Sequence, residues 1–189
     1  AAAQCGLAAG TPIVTGGGDQ QCSVLGLGVL EKGVAKCTTG TGTFVVTPID
    51  KETHDPMGTL FCNPHVLPNQ WVLEGVLPGT GAVLRWFRDQ FCHLECTVAQ
   101  RVGRDPYDYI CEEAAQAPPG CGGLVLFPFF TFSLGIFHGL GFEHSRAHFA
   151  RAILEGAAYA ARFFIDAAAS AGVQVDELRL DGGGSRSPL

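Results

Sequence analysis

The amino-acid sequence predicts a mixed fold, α/β or α+β, on three observations. Short apolar strand-like segments alternate with helical ones along the chain. A long alanine-rich helix is marked over residues 145–171 by an apolar stripe. Three glycine-rich turns, Gly16 to Gly18, Gly40 to Gly42 and Gly182 to Gly184, each follow a segment that reads as a strand.

In chain order, residues 12–15 suit a buried strand, and "GGGD" then sets one carboxylate, Asp19, behind a glycine turn. "QQCSVLGLGVL" is apolar with small residues and suits a short packed helix. "GVAKCTTGTGTFVVTPID" reads as a β-hairpin. Val34, Lys36 and Thr38 share one face of its first arm, Ala35 and Cys37 the other, and residues 44–47 form the second arm. "DKETHDP" is polar and turn-like, and "LFCNPHVLPNQWVLEG" gives extended segments broken by prolines. Val83, Leu84, Phe87, Phe91 and Leu94 recur at helical spacing. Two shorter helices follow, separated by a turn at Asp105-Pro106, and prolines after Gln116 stop the second. A buried strand is expected over 123–129. In the long helix, Ala147, Ala150, Leu154, Ala157, Ala161, Phe164 and Ala168 make the stripe, Ser145 caps the start and Gly172 takes the left-handed stop. "ELRLDGGG" is a strand ending in a glycine turn.

At 189 residues the chain is long enough for one domain with a sizeable core. Hydrophobic residues make up 47% and charged residues 16%, which excludes a disordered tail. A net charge of -6 without long runs argues against non-specific nucleic-acid binding and against an anionic membrane surface. The eight cysteines contain no C-x-x-C. Cys92 and Cys96 bracket His93 and Glu95, but structural zinc wants two closely spaced pairs, so reduced thiols acting as small hydrophobes are expected, in a cytoplasmic setting. Residues 124–142 carry no Asp, Glu, Lys or Arg and nearly suffice for a membrane span. Pro128, Gly135, His138, Gly139 and Gly141 interrupt them and no basic flank anchors them, so they read as a buried strand and an irregular apolar loop. The chain has no initiator Met and stops after Pro188-Leu189, and a fragment of a longer protein is expected.

Generic motifs reach only a phosphate-binding domain. Successive N–H groups in glycine turns make anion nests, yet neither G-x-x-x-x-G-K-[ST] nor G-x-G-x-x-G in a βαβ setting is present. Asp19 alone reads equally as a base or as a helix cap. His144 and His148 read as surface or capping residues, Trp71 and Trp86 as packing, and Arg85, Arg88 and Asp89 as a solvated helix face.

Five segments in order resemble the FGGY family of carbohydrate kinases: "GGGDQQ", "GVAKCTTGTGTF", "WVLEGVLPGTGAVLRWFRDQF", "HSRAHFARAILEGAAYAARF" and "LRLDGGGSRSPL". "NPHVLP" and "WFRDQF" lean toward its xylulose kinases and autoinducer-2 kinases. The resemblance implies an actin-like, ribonuclease-H-like ATPase fold, mostly its C-terminal nucleotide lobe and truncated at both ends. It divides the chain into 1–28, the end of a sugar-binding lobe, and 29–189, an incomplete ATP-binding lobe. It implies ATP-dependent phosphorylation of a ketose such as xylulose, or a related polyol, by the parent protein.

Under that resemblance Asp19 is the general base, and Asp19 and Gln20 meet the sugar. Gly40, Thr41 and Gly42 face the β- and γ-phosphates. Gly81 sits by the nucleotide at a helix start. Gly183, Gly184 and Ser187 flank adenine, while Arg186 lies over the base or in solvent. Cofactors are ATP and magnesium, with magnesium ligands mostly in the absent lobe and none assigned here. Partners are the sugar and ATP, a homodimer being allowed. Two departures bear on activity: most of the sugar lobe is absent, and the loop over 131–143 is shorter and more apolar than the family's. The fragment alone is therefore expected to be inactive, and a degenerate, non-catalytic nucleotide-binding module is the alternative.

Overall fold

A computed structural model describes residues 2–128, 135–187 and 189. The first regular helix, α1 (Asp19–Gly26), precedes the hairpin β1 (Gly33–Thr39) and β2 (Thr43–Ile49). Then come β3 (Leu60–Pro64), β4 (Trp71–Leu77), α2 (Thr80–Phe91), α3 (His93–Val102) and α4 (Pro106–Ala114). A small antiparallel pair, β5 (Val125–Phe127) and β6 (Ile136–His138), leads to α5 (Arg146–Ser170) and β7 (Val175–Asp181). The main sheet has the order β3-β4-β2-β1-β7, with β1 and β7 parallel and the other neighbours antiparallel.

Alternation along β1 decides what covers each face. Ala35 and Cys37, with Val45 and Leu77, pack beneath Ala160, Ala161 and Phe164 of α5. The small side chains allow close approach. A methyl group on Gly75 of β4 would fall 2.2 Å from the Phe164 ring, so glycine is required where helix meets sheet. The opposite face carries Val34, Val46 and Val72, which pack with Val24 of α1 and Val29 beyond it. The same face buries Lys36 completely. A third apolar cluster joins α2, α4 and β5 to the first half of α5 through Val83, Phe87, Ile110, Leu126, Ala150 and Ile153. Each buried Val, Leu, Ile or Phe side chain contributes about 1.5–3 kcal/mol by leaving water.

Several expectations are corrected. Residues 12–15 form no strand, and Ile13 and Val14 stand 89% and 82% exposed. A strand needs a neighbouring edge, and among the described residues none pairs with this one. The helix read as continuous through Leu94 breaks at Cys92 (φ -121°, ψ 39°), where α3 begins. The strand expected over 123–129 is the short β5, paired with β6 and outside the main sheet, while residues 129–134 lie outside the described residues. Two caps stand where the sequence implied, at Ser145 and Gly172, and Asp105 of the expected turn adds a third. Asp105 accepts from the Tyr107 N–H at the start of α4, the Ser145 N–H donates to His148 Nδ1 at the start of α5, and Gly172 closes α5 at φ +79°. His148 is thus a capping residue, whereas the His144 side chain is buried, with Nδ1 accepting from the Gly141 N–H at 2.8 Å. No helix of the described residues is long and apolar enough to cross a membrane.

Candidate functional site

The parallel pair β1 and β7 ends at one edge of the sheet, and the chain leaves each strand through a glycine turn. Ligands of open α/β sheets bind outside such carboxyl ends. Here the two turns and the start of α2 meet around a cleft of about 1060 Å³. Its glycine wall holds Gly40, Thr41, Gly81, Gly183 and Gly184, with Thr39 and Thr80 behind them. Its floor is apolar, from Leu84 of α2 and Ile153, Leu154 and Ala157 of α5. Tyr107, Asp108, Cys111 and Glu112 of α4 make the far wall, and Ser187 lies against it with its hydroxyl 3.4 Å from Cys111 Sγ.

Close backbone approach explains most of these glycines. The Gly81 and Ala82 N–H groups donate to the Thr41 carbonyl at 3.1 and 3.2 Å, docking the hairpin tip on the start of α2. A methyl group at Gly81 would sit 1.8 Å from the Gly40 carbonyl oxygen. Gly81 lines the cleft as expected, but its N–H is spent on Thr41 rather than open to an anion. Gly182 has φ +87° and lies where a Cβ would be 2.5 Å from the Thr39 carbonyl oxygen. Gly184 packs on the Thr39 side chain, and only Gly183 of this turn faces open space.

Gly42 lies outside the cleft lining. Its Cα is wedged against the Leu77 carbonyl and Pro78, and its carbonyl accepts the Gly40 N–H at 2.9 Å. Gly16 to Gly18 have no left-handed φ. Gly17 is pressed by Val66, 2.1 Å from where a Cβ would stand, while Gly16 has no atom within 4 Å of such a Cβ.

Asp19 and Gln20 lie outside the nucleotide-sized cleft, at the start of α1, which covers the other face of the sheet. Asp19 is exposed, and its Oδ1 accepts from the Gln20 N–H at 2.9 Å. Gln20 offers its side-chain oxygen to the buried Lys36 Nζ at 2.5 Å. Burial lowers the Lys36 pKa, and the charges of Asp181, Glu74 and Asp19 oppose that fall. Burial likewise raises Glu74, which accepts from Asn63 at 3.0 Å. Ser23 donates to Asp181 Oδ2 at 3.0 Å. The face opposite α5 therefore holds a polar cluster, which the sequence reading left unnoticed because a lysine on a strand ordinarily reads as solvated.

Arg85 is exposed, as a solvated helix face requires. Arg88 pairs with Asp89 and contacts the Tyr107 hydroxyl, but Arg85 lines the cleft and has no ion-pair partner among the described residues. Arg186 lines it too and is likewise unpaired among them. Arg85 and Arg186, with Arg104 already paired to Glu112, thus border a site whose glycine wall would admit phosphates closely. The cleft fits a nucleotide: a flat apolar floor, a glycine wall and cationic side chains at hand. No group of three metal-ligating side chains occurs among the described residues. Glu95, beside Cys92 and Cys96, is held by Arg146, which keeps its carboxyl below the usual range.

Residues 35–189 match the family described as FGGY family of carbohydrate kinases, C-terminal domain. The chain is 36% identical over 202 residues to an autoinducer-2 kinase of Salmonella paratyphi A, covering 100% of this chain and 38% of that protein. It is 36% identical over 167 residues to a gluconokinase of Bacillus licheniformis, covering 84% of this chain and 32% of that one. The crystal structure of xylulose kinase from Rhodospirillum rubrum superposes with a TM-score of 0.80 at 28% identity, over 99% of this chain and 38% of its own. The chain thus spans about a third of the length of these relatives, 32% to 38%. It belongs to the FGGY family of carbohydrate kinases, with their actin-like ATPase fold.

Proposed function

We propose that the whole protein containing this chain transfers the γ-phosphoryl group of ATP to a hydroxyl of a ketose such as xylulose, or of a related polyol. The observation that carries the reading is the convergence of two glycine turns and the α2 start on one cleft, with Asp19 exposed at the start of α1 on the other face of the same sheet. Residues 1–28 are the end of the sugar lobe in this reading, and 29–189 the nucleotide lobe.

Phosphoryl transfer asks the protein for positioning and charge neutralisation more than for covalent chemistry. Gly40 and Thr41 would let phosphates approach the hairpin tip, and Arg85 would face their charge. Gly183, Gly184 and Ser187 would flank the adenine above Leu84, Ile153 and Leu154. Asp19 would take the proton of the attacking hydroxyl, while the Gln20 side chain would help hold the sugar. Magnesium would supply charge neutralisation at the phosphates, and the described residues offer no cluster of three ligands to hold it.

Because sugar contacts beyond these two residues would come from elsewhere in the protein, the 189-residue chain alone is expected to bind nucleotide without turnover. In the whole protein, Asp19→Asn should abolish sugar-dependent ADP release while ATP still binds. A near-normal rate in that variant would sink the base assignment. Nucleotide binding with no turnover on any pentulose or polyol tested would favour a non-catalytic module instead.

A further inference from the structure

We propose that Lys36 is a positioning residue that fixes the pose of Asp19 by holding the first turn of α1 through Gln20. The inference rests on the reading of Asp19 as the base, and adds to it the part that holds the base still.

The helix that carries Asp19 needs an external anchor. It has eight residues and no side-chain cap, since its N-cap is Gly18, and it buries only Val24. A helix this short is marginal by itself. Gln20, Ser23 and Val24 share the face turned toward the sheet. Val24 supplies the apolar contact, Gln20 meets Lys36, and Ser23 meets Asp181. Lys36 and Asp181, which anchor the first turns of α1, are therefore polar groups of the strands whose ends build the nucleotide cleft, while Arg179 of β7 holds the C-cap carbonyl of Leu27 at 2.8 Å. Three residues beyond Lys36 lies Thr39, on which the Gly182 and Gly184 turn packs, and Asp181 immediately precedes that turn.

Burial makes this lysine costly. A fully buried ammonium must be paired, and an apolar side chain of similar volume is often as stable or more so. Val34, two residues earlier on the same face, shows that the surface beneath α1 accepts such a residue. What an apolar side chain would not supply is a donor directed at the residue next to Asp19. The carboxylates of Asp181 and Glu74 supply the opposing charge, and Asp181 keeps one buried oxygen without a partner among the described residues. The cluster thus ties α1 to β1 and β7 by directional contacts, where apolar packing alone would let the short helix slide.

The test uses the whole kinase with ATP and its sugar. In Lys36→Met, kcat should fall about 100-fold, the cost of misplacing a reacting group by about 1 Å, while KM for ATP stays within about threefold. Hydrogen exchange of residues 19–26 should accelerate about tenfold, with residues 146–170 unchanged. Lys36→Arg, which keeps a donor, should recover part of the rate. A Lys36→Met enzyme with near-normal kcat, alongside a dead Asp19→Asn, would overturn the positioning role and leave the base assignment standing. An active Asp19→Asn would remove the base assignment itself. Should Lys36→Met fail to fold, Ser23→Ala decides: it removes one polar anchor without stranding the ammonium. Faster exchange in residues 19–26 with lowered kcat supports the proposal, and wild-type values of both overturn it.

Discussion

Gly81→Ala tests the docking of the hairpin tip on α2. The added methyl would lie 1.8 Å from the Gly40 carbonyl oxygen and 2.9 Å from its carbon, both backbone atoms that no rotamer change can move aside. To restore an ordinary contact the tip must withdraw by about 1.5 Å. That movement breaks the hydrogen bonds from Gly81 and Ala82 to the Thr41 carbonyl. Two such bonds contribute about 2 kcal/mol together, and the better helix propensity of alanine returns part of it. A net loss of about 1.5 kcal/mol corresponds to a fall in Tm of about 3–6 °C for a chain of this size. Displacement of Gly40 and Thr41 should also weaken ADP binding about tenfold or more. Gly183→Ala is the control, because no atom lies within 4 Å of the new methyl and the residue has no left-handed φ. It should leave Tm unchanged while intruding on the cleft and lowering ADP affinity. Calorimetric melting and titration with ADP read both quantities. A Gly81→Ala protein with wild-type Tm and affinity would refute the reasoning, and unaltered ADP binding by Gly183→Ala would show that nucleotide does not occupy this cleft.

Ile153 is 2% exposed where α5 meets α2 and α4, so Ile153→Ala should cost about 2–5 kcal/mol in urea unfolding. Glu95 is held below the usual carboxylate range by its hydrogen bond to Arg146, so its contribution is present above the unfolded pKa and is lost as pH falls through the lowered folded value. The stability difference between wild type and Arg146→Gln should therefore shrink on acidification across that window, in urea titrations at stepped pH. Burial pushes the thiols of Cys37, Cys92 and Cys121 up to about 11. A disulfide reagent at neutral pH should therefore count fewer thiols in the native protein than the eight exposed by denaturant.

Local pattern carried much of the architecture. Alternation in the hairpin told which residues of β1 share a face, and the alanine stripe placed α5 itself, because both patterns depend on neighbours within a few residues. The glycine turns at 40–42 and 182–184 were legible as candidate cleft walls. What the pattern missed depends on contacts distant in sequence. Arg85 and Arg88 lie on one helix and look alike in sequence, yet only Arg85 faces the cleft, because α4 stands beside Arg88. Gly81 looked like an open helix start, and the Thr41 carbonyl occupies it. Gly42 matched the phosphate hairpin but is turned into packing against Leu77 and Pro78. Residues 12–15 had strand character without an edge among the described residues to satisfy it. Lys36 was seen as one face of a strand, with nothing to say that α1 would cover it.

The parallel pairing of β1 with β7 has a consequence for synthesis. It joins positions 142 apart in sequence. At ordinary translation speeds the ribosome needs about 7–30 s to travel that distance. During this interval β1 is the outer strand of a nascent sheet, with its free edge open to any passing chain. Lysine is the residue that natural sheets place on such edges to discourage mispairing. Lys36 can serve as that guard while β1 waits beneath α1, which precedes it in the chain, and the charge of Asp181 joins it only when β7 arrives.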